Sequence, residues 1–158
     1  MPGSILLGYD GSPSAAHAIR RARAVLAART MIVATVWEPA LPVTPTVWGD
    51  GLADPIDPAM AEELTALSGN RAEQLARHGA EIARAAGFAA EIAAVPEELN
   101  IADTLSDLAA ERGVDAIVVG RRGHGRLHQL VLGSTSASLL RRAGCPVLVV
   151  PMADDAED

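Results

Sequence analysis

The chain has 158 residues, 13 cationic and 20 acidic side chains and a formal net charge of −7, which suits one domain able to bury a core without metal or disulfide support. Cys145 is the only cysteine, so disulfide-stapled and multi-cysteine zinc classes are excluded. All 13 cations are Arg, which removes the Walker P-loop lysine and Schiff-base chemistry, and an acidic total with one Tyr, one Phe and two Trp argues against nucleic acid as a general partner.

Ile5-Leu6-Leu7-Gly8-Tyr9 reads as a buried strand, and Asp10-Gly11-Ser12-Pro13 as a turn into a helix with Pro at its first position. From Pro13 to about Arg29 the apolar residues Ala15, Ala18, Ile19, Ala22, Val25 and Leu26 keep a helical period, with Arg20, Arg21 and Arg23 facing out. Met31 to Trp37 is a second strand. Residues 38–58 hold five of the ten prolines and form a long loop. Ala59 to Ala86 is helical through Leu64, Leu67, Leu75, Ile82 and Ala86, closed by Gly87 and open to a break at Ser68-Gly69-Asn70. Phe88 to Val95 is a third strand. Asn100 caps a helix whose inward face is Ile101, Leu105 and Leu108 and which Gly113 ends. Asp115 to Gly120 is a fourth strand, Ser134 to Ala143 a short helix stopped by Gly144, and Pro146 to Pro151 a fifth strand. Residues 153–158 form an acidic tail.

Strands without period-2 alternation, separated by helices, indicate an α/β protein: a parallel sheet covered on both faces, in one open layered domain. Ligands in such sheets bind beyond the carboxyl ends of the strands, so chemistry belongs after Tyr9, Trp37 and Val119. The amino terminus has no basic signal region, and no apolar run approaches the ~20 residues of a membrane span. The expectation is a cytoplasmic protein that does not engage a membrane.

The stretch from Gly120 to Ser136 leaves a strand end and enters a helix. Its glycines let the backbone approach an anion, while the helix start offers free N–H groups beside the hydroxyls of Ser134, Thr135 and Ser136. Six Arg (112, 121, 122, 126, 141, 142) against the single acid Asp115 give residues 112–142 a local excess of positive charge, as a polyphosphate requires. Arg141 and Arg142 are also explained by the dipole of a last helical turn. A plain connection, with glycines for turn geometry and Ser as N-cap, accounts for the same residues.

The spacing Gly120-x2-Gly123-x9-Gly133-Ser134 resembles the ATP-binding signature of the universal stress protein family. The resemblance extends to Ile5 to Ser14 as the family's opening strand and Asp-Gly-Ser turn, to Asp115 to Gly120 as its fourth strand, and to Cys145 to Val150 as its closing one. It covers residues 1–152. It implies a Rossmann-like α/β/α sandwich of the adenine nucleotide alpha hydrolase-like kind, with a five-stranded parallel sheet in the order 3-2-1-4-5, and ATP as cofactor. The carboxylate of Asp10 suits ribose hydroxyls or a Mg²⁺ ion met through water, or is simply an acid at a helix amino terminus. By the same resemblance Asp10, with the backbone near Gly8, meets ribose and phosphate. The main chain at Val36 reads adenine. Val119, Gly120, the Arg122 to Gly123 turn, Gly133, Ser134 and Thr135 hold ribose and phosphates. It further implies a homodimer through residues 146–150, and an apolar edge strand without charges does need covering. Arg126 is added as a phosphate contact from its charge alone.

Two features depart from the family pattern. The histidine often found near the end of the second strand is replaced around Thr35-Val36-Trp37, and the proline-rich loop with Trp48 has no firm counterpart. Trp37 or Trp48 covers the adenine, or else serves the core or a dimer contact. His124 and His128 are spaced i, i+4, yet no zincin Glu accompanies them and no metal site is expected. His17 and His78 read as solvated or packed helix residues and Cys145 as a small apolar one. No nucleophile elbow announces a catalytic triad. The leading expectation is therefore a nucleotide-dependent stress-response protein without a catalytic residue. The alternatives are a slow ATPase or nucleotidyl-transfer enzyme, a module for AMP or cyclic AMP, and a structural dimer that binds nothing.

Overall fold

The computed structural model describes residues 3–40, 57–121 and 132–152. Nine elements follow in chain order: β1 (Ser4–Gly8), α1 (Pro13–Val25), β2 (Thr30–Trp37), α2 (Pro58–Ala85), β3 (Ala89–Pro96), α3 (Ile101–Arg112), β4 (Ala116–Gly120), α4 (Ser134–Arg142) and β5 (Val147–Val150). The strands form one sheet, β3-β2-β1-β4-β5, and every neighbouring pair is parallel. Gly8 stands opposite Ala34 and Leu7 opposite Val118.

Helices cover both faces, because the central strands β2, β1 and β4 bury apolar side chains on both sides. Leu7, Met31, Val33 and Val118 pack with Ala18, Ile19 and Ala22 of α1 and Ala80 and Ala83 of α2. Leu6, Ile32, Ala34 and Ile117 pack with Ala102, Leu105 and Leu108 of α3 and Leu139 of α4. The result is the α/β/α sandwich and strand order expected.

The helix ends follow from their caps. Ser12 accepts the Ala15 N–H at 3.1 Å with Pro13 at the first position of α1, and Asn100 accepts the Asp103 N–H at 2.9 Å. Gly113 closes α3 with φ +58°, an angle that favours glycine. Asp57 caps α2, so Pro58 opens that helix rather than ending the loop before it.

Four sequence expectations are corrected. α1 stops at Val25 instead of Arg29, and Val25 is exposed. α2 runs unbroken for 28 residues through Ser68-Gly69-Asn70. Its Leu64 and Leu67 are exposed; the buried stripe is Ala61, Ala72, Ala76, Gly79, Ala80 and Ala83. Ile101 is exposed too, and Ala102 and Leu105 take the inward face of α3.

Candidate functional site

The strand order reverses beside β1, and at the carboxyl edge there the chain turns away into α1. The turn is built by Asp10, whose Oδ1 accepts the Ser12 N–H at 2.9 Å, and by Gly11, whose φ of +80° lets the chain double back. The acid therefore has a local structural duty besides any ligand it meets. Thr35, buried on β2, fastens the same bend by donating Oγ1–H to the Tyr9 carbonyl at 2.9 Å. Gly8 lies tight beneath it, since a Cβ there would stand 3.1 Å from Leu105 and 3.2 Å from Val119.

Backbone groups of a parallel strand alternate between its two neighbours. The Ala34 carbonyl accepts the Tyr9 N–H at 2.8 Å, and the Trp37 carbonyl accepts the Glu97 N–H at 2.7 Å. Ala34 and Val36 thus face β1, whereas Thr35 and Trp37 face β3. β1 has ended by this level, so the N–H and C=O of Val36 look into the switch point. On β4 the Arg121 N–H goes to the Val150 carbonyl at 2.9 Å, and the same alternation turns Gly120 towards β1 from the other side. Two main-chain edges, Val36 and Gly120, thereby border the end of β1.

α4 begins beside Gly120. Its N-cap is Gly133, which has no side chain to return to the first amides; the helix start around exposed Ser134 and half-buried Thr135 keeps the partial positive charge that favours an anion. The Gly133 N–H donates to the Arg121 carbonyl at 3.1 Å. Ser136, buried, donates to the Gly120 carbonyl at 3.0 Å, so its hydroxyl latches α4 to β4 instead of lining the edge. Gly8, Asp10, Val36, Val119, Gly120, Gly133, Ser134 and Thr135 are therefore gathered at one edge of the sheet. Arg122, Gly123 and Arg126, together with His124, His128 and Trp48, lie outside the described residues.

The arginine cluster is less concentrated than its sequence suggests. Arg112 ends α3, where the strands begin, and pairs with Glu91. Arg142 grips Asp103 through Nη1 at 2.9 Å and 2.8 Å. Arg141 donates to Ser138.

Two contacts were missed in the sequence. The Tyr9 hydroxyl and His78 Nδ1 lie 2.8 Å apart. Burial, reinforced by the Asp10 carboxylate, raises the Tyr9 pKa and keeps the phenol protonated. Trp37 turns its indole onto Gly69 of α2, where a Cβ would stand 3.2 Å away, and lines a cleft of about 490 Å³ with Ala40, Pro58, Ala61, Thr65 and Gly69. Only the periodicity of Ala and Gly along α2 hinted at such close approach. Among the described residues no cluster of His, Cys, Asp and Glu could hold a metal ion, and no helix is long and apolar enough to cross a membrane.

The model of the universal stress protein family matches residues 1–151. A relative from Thermus aquaticus, the universal stress protein in the QAH/OAS sulfhydrylase 3′ region, is 31% identical over 156 residues, covering 93% of this chain and 97% of its own. Among solved structures, the hypothetical protein MJ0577 superposes with a TM-score of 0.72 at 22% identity over 98% of this chain and 99% of its own. A universal stress protein in complex with cAMP gives 0.61 at 26% identity over 94% and 96%. A family protein from Arabidopsis thaliana with AMP bound gives 0.62 at 15% identity over 99% and 100%.

Proposed function

Because the chain belongs to the universal stress protein family, we propose that it binds an adenine nucleotide, ATP first, at the carboxyl edge of its sheet and serves a stress response through nucleotide state in the cytoplasm. The observation that carries this reading is the pair of main-chain edges, Val36 and Gly120, bordering the end of β1 beside the uncapped start of α4. Val36 offers a donor and an acceptor to the edge of an adenine. Asp10 suits ribose hydroxyls. The Gly120 backbone, the first amides of α4 and the hydroxyls of Ser134 and Thr135 suit phosphate oxygens, with Arg122, Gly123 and Arg126 completing the grip. The donor set fits a magnesium ion carried by the triphosphate and met by Asp10 through water, since Mg²⁺ keeps several waters and leans on phosphates rather than on a protein cage. Beyond Asp10 the proposed contacts are main-chain amides and hydroxyls without a dedicated base to activate them, so binding rather than turnover is the proposed activity.

The cAMP- and AMP-bound relatives favour a second reading, in which a monophosphate is the preferred ligand. Calorimetric titration with ATP, ADP, AMP and cyclic AMP, followed by analysis of the products, separates the two. ATP bound tightly and recovered intact supports the first reading; preference for AMP or cyclic AMP supports the second, and release of ADP in repeated turnovers makes the protein an ATPase. No binding at about 1 mM of any of these, a concentration that reveals even weak ligands, overturns both. Gly123→Val blocks the loop and abolishes binding, and Ser134→Ala weakens it by about tenfold, the worth of a hydrogen bond to a charged group. Unchanged affinity in both variants places the pocket elsewhere.

A further inference from the structure

Ser14 stands at the second position of α1. Around it Pro13 has no N–H, the Ala15 N–H goes to Ser12 Oγ at 3.1 Å and the Ala16 N–H to the Ser12 carbonyl at 3.1 Å. Ser14 is 6% exposed, yet its Oγ has no hydrogen-bond partner and is the only buried side-chain polar atom among the described residues in that state. A buried hydroxyl without a partner is unfavourable, and such groups call for a physical reason.

Its position supplies one. The oxygen rests against Gly120, 2.4 Å from where a Cβ on that glycine would stand, with the Ser14 carbonyl carbon 2.9 Å from the same point. Glycine at 120 thus lets α1 dock its start on the end of β4, while Ser136 docks the start of α4 on the Gly120 carbonyl. Two helix amino termini meet at one residue, each with a partial positive charge. At α1 the unpaired group is an O–H donor that turns about χ1 between staggered positions.

Resting on the nucleotide reading, we propose that Ser14 is a phosphate-binding residue. Its hydroxyl donates to a phosphate oxygen that reaches the Gly120 notch, so the anion is gripped between α1 and α4 rather than by α4 alone. The unpaired donor weakens the ligand-free protein and regains its bond when the nucleotide arrives.

Ser14→Ala tests this because it removes the oxygen with almost no change of shape. Thermal unfolding without ligand is compared with calorimetric affinities for ATP, AMP and adenosine. The expected result is an unchanged or higher melting temperature of the empty protein, about tenfold weaker binding of ATP and AMP, and unchanged binding of adenosine. A lower melting temperature of the empty variant means that the fold itself uses the hydroxyl, and overturns the proposal. Wild-type affinity for ATP and AMP overturns it as well, as does equal loss for adenosine, which would put the contact on the ribose. If wild-type protein binds none of the three, the nucleotide reading falls and Ser14 with it; wild-type binding that the variant retains sinks Ser14 alone.

Discussion

Gly11 holds φ at +80° between Asp10, whose carboxylate takes the Ser12 N–H, and Ser12, which caps α1, so one backbone angle orients an acid and starts a helix together. An alanine there must adopt the same left-handed angle, at about 1–2 kcal/mol, and its Cβ falls 2.8 Å from Leu75 Cδ1, a side-chain end free to shift. Gly11→Ala lowers the urea midpoint accordingly while nucleotide affinity falls through the displaced carboxylate; an unchanged midpoint and affinity would show that the turn tolerates an ordinary angle. The turn at Asp10, the strand end at Gly8 and the helix start at Gly133 were legible in the sequence because they sit in short local motifs. Thr35 holding the Tyr9 carbonyl, Ser136 holding the Gly120 carbonyl and Tyr9 meeting His78 were not, since each joins residues 26, 16 and 69 apart and nothing local marks the partner.

At the scale of elements, α2 shows why the hydrophobic pattern misassigned a face. Its large apolar residues Leu64 and Leu67 are exposed, while Gly79 lies where a Cβ would stand 2.8 Å from both Tyr9 Cδ1 and Val33 Cγ1. The fully buried stripe of the helix is made of Ala and Gly where it lies closest to the sheet, with Leu75 and Ile82 packing from its flanks, so small size marks the inward face, which a count of strongly hydrophobic residues overlooks. α3 and α4 are tied differently. Asp103 accepts two bonds from Arg142 Nη1 and one from Asn100 Nδ2 at 2.6 Å, and the Arg142 hydrogen bond first, then that of Asn100, lowers its pKa from the usual 3.8. A lowered carboxylate pKa stabilises the folded state above the ordinary value and loses that contribution as pH falls through the folded one. Arg142→Ala therefore melts below the wild type at neutral pH, and the gap closes as the pH drops below 3.8. Because the pair is exposed the gap is small and shrinks in high salt. A gap that persists in acid would assign the arginine to packing instead.

For the whole molecule, residue patterning alone reached a parallel sheet covered on both faces, because a continuous apolar strand reports burial on two sides. It did not reach the order of the strands, which depends on long-range pairing; that came with the family resemblance. The net charge of −7 hides an uneven distribution, and among the described arginines of residues 112–142, Arg112 and Arg142 are taken up in ion pairs with Glu91 and Asp103. The two open edges of the sheet are likewise unequal. β3 carries Glu91, paired with Arg112, and ends at Pro96, features that discourage a further strand. β5 is Val147-Leu148-Val149-Val150, without a charge, and we propose that it pairs with its copy in a homodimer. The carbonyls of Pro146 and Val150 accept from Ile117 and Arg121 of β4, so alternation turns the backbone of Val147 and Val149 to the open side. Val149→Pro removes the outward N–H and leaves the bonds to β4 intact, a setting in which an edge strand accommodates proline. Light scattering on the wild type is expected to give twice the chain's mass and on the variant a single chain, with the circular dichroism of the two superimposable. A wild-type monomer, or a folded variant that still dimerises, would remove β5 as the interface and leave its apolar edge to be covered in another way.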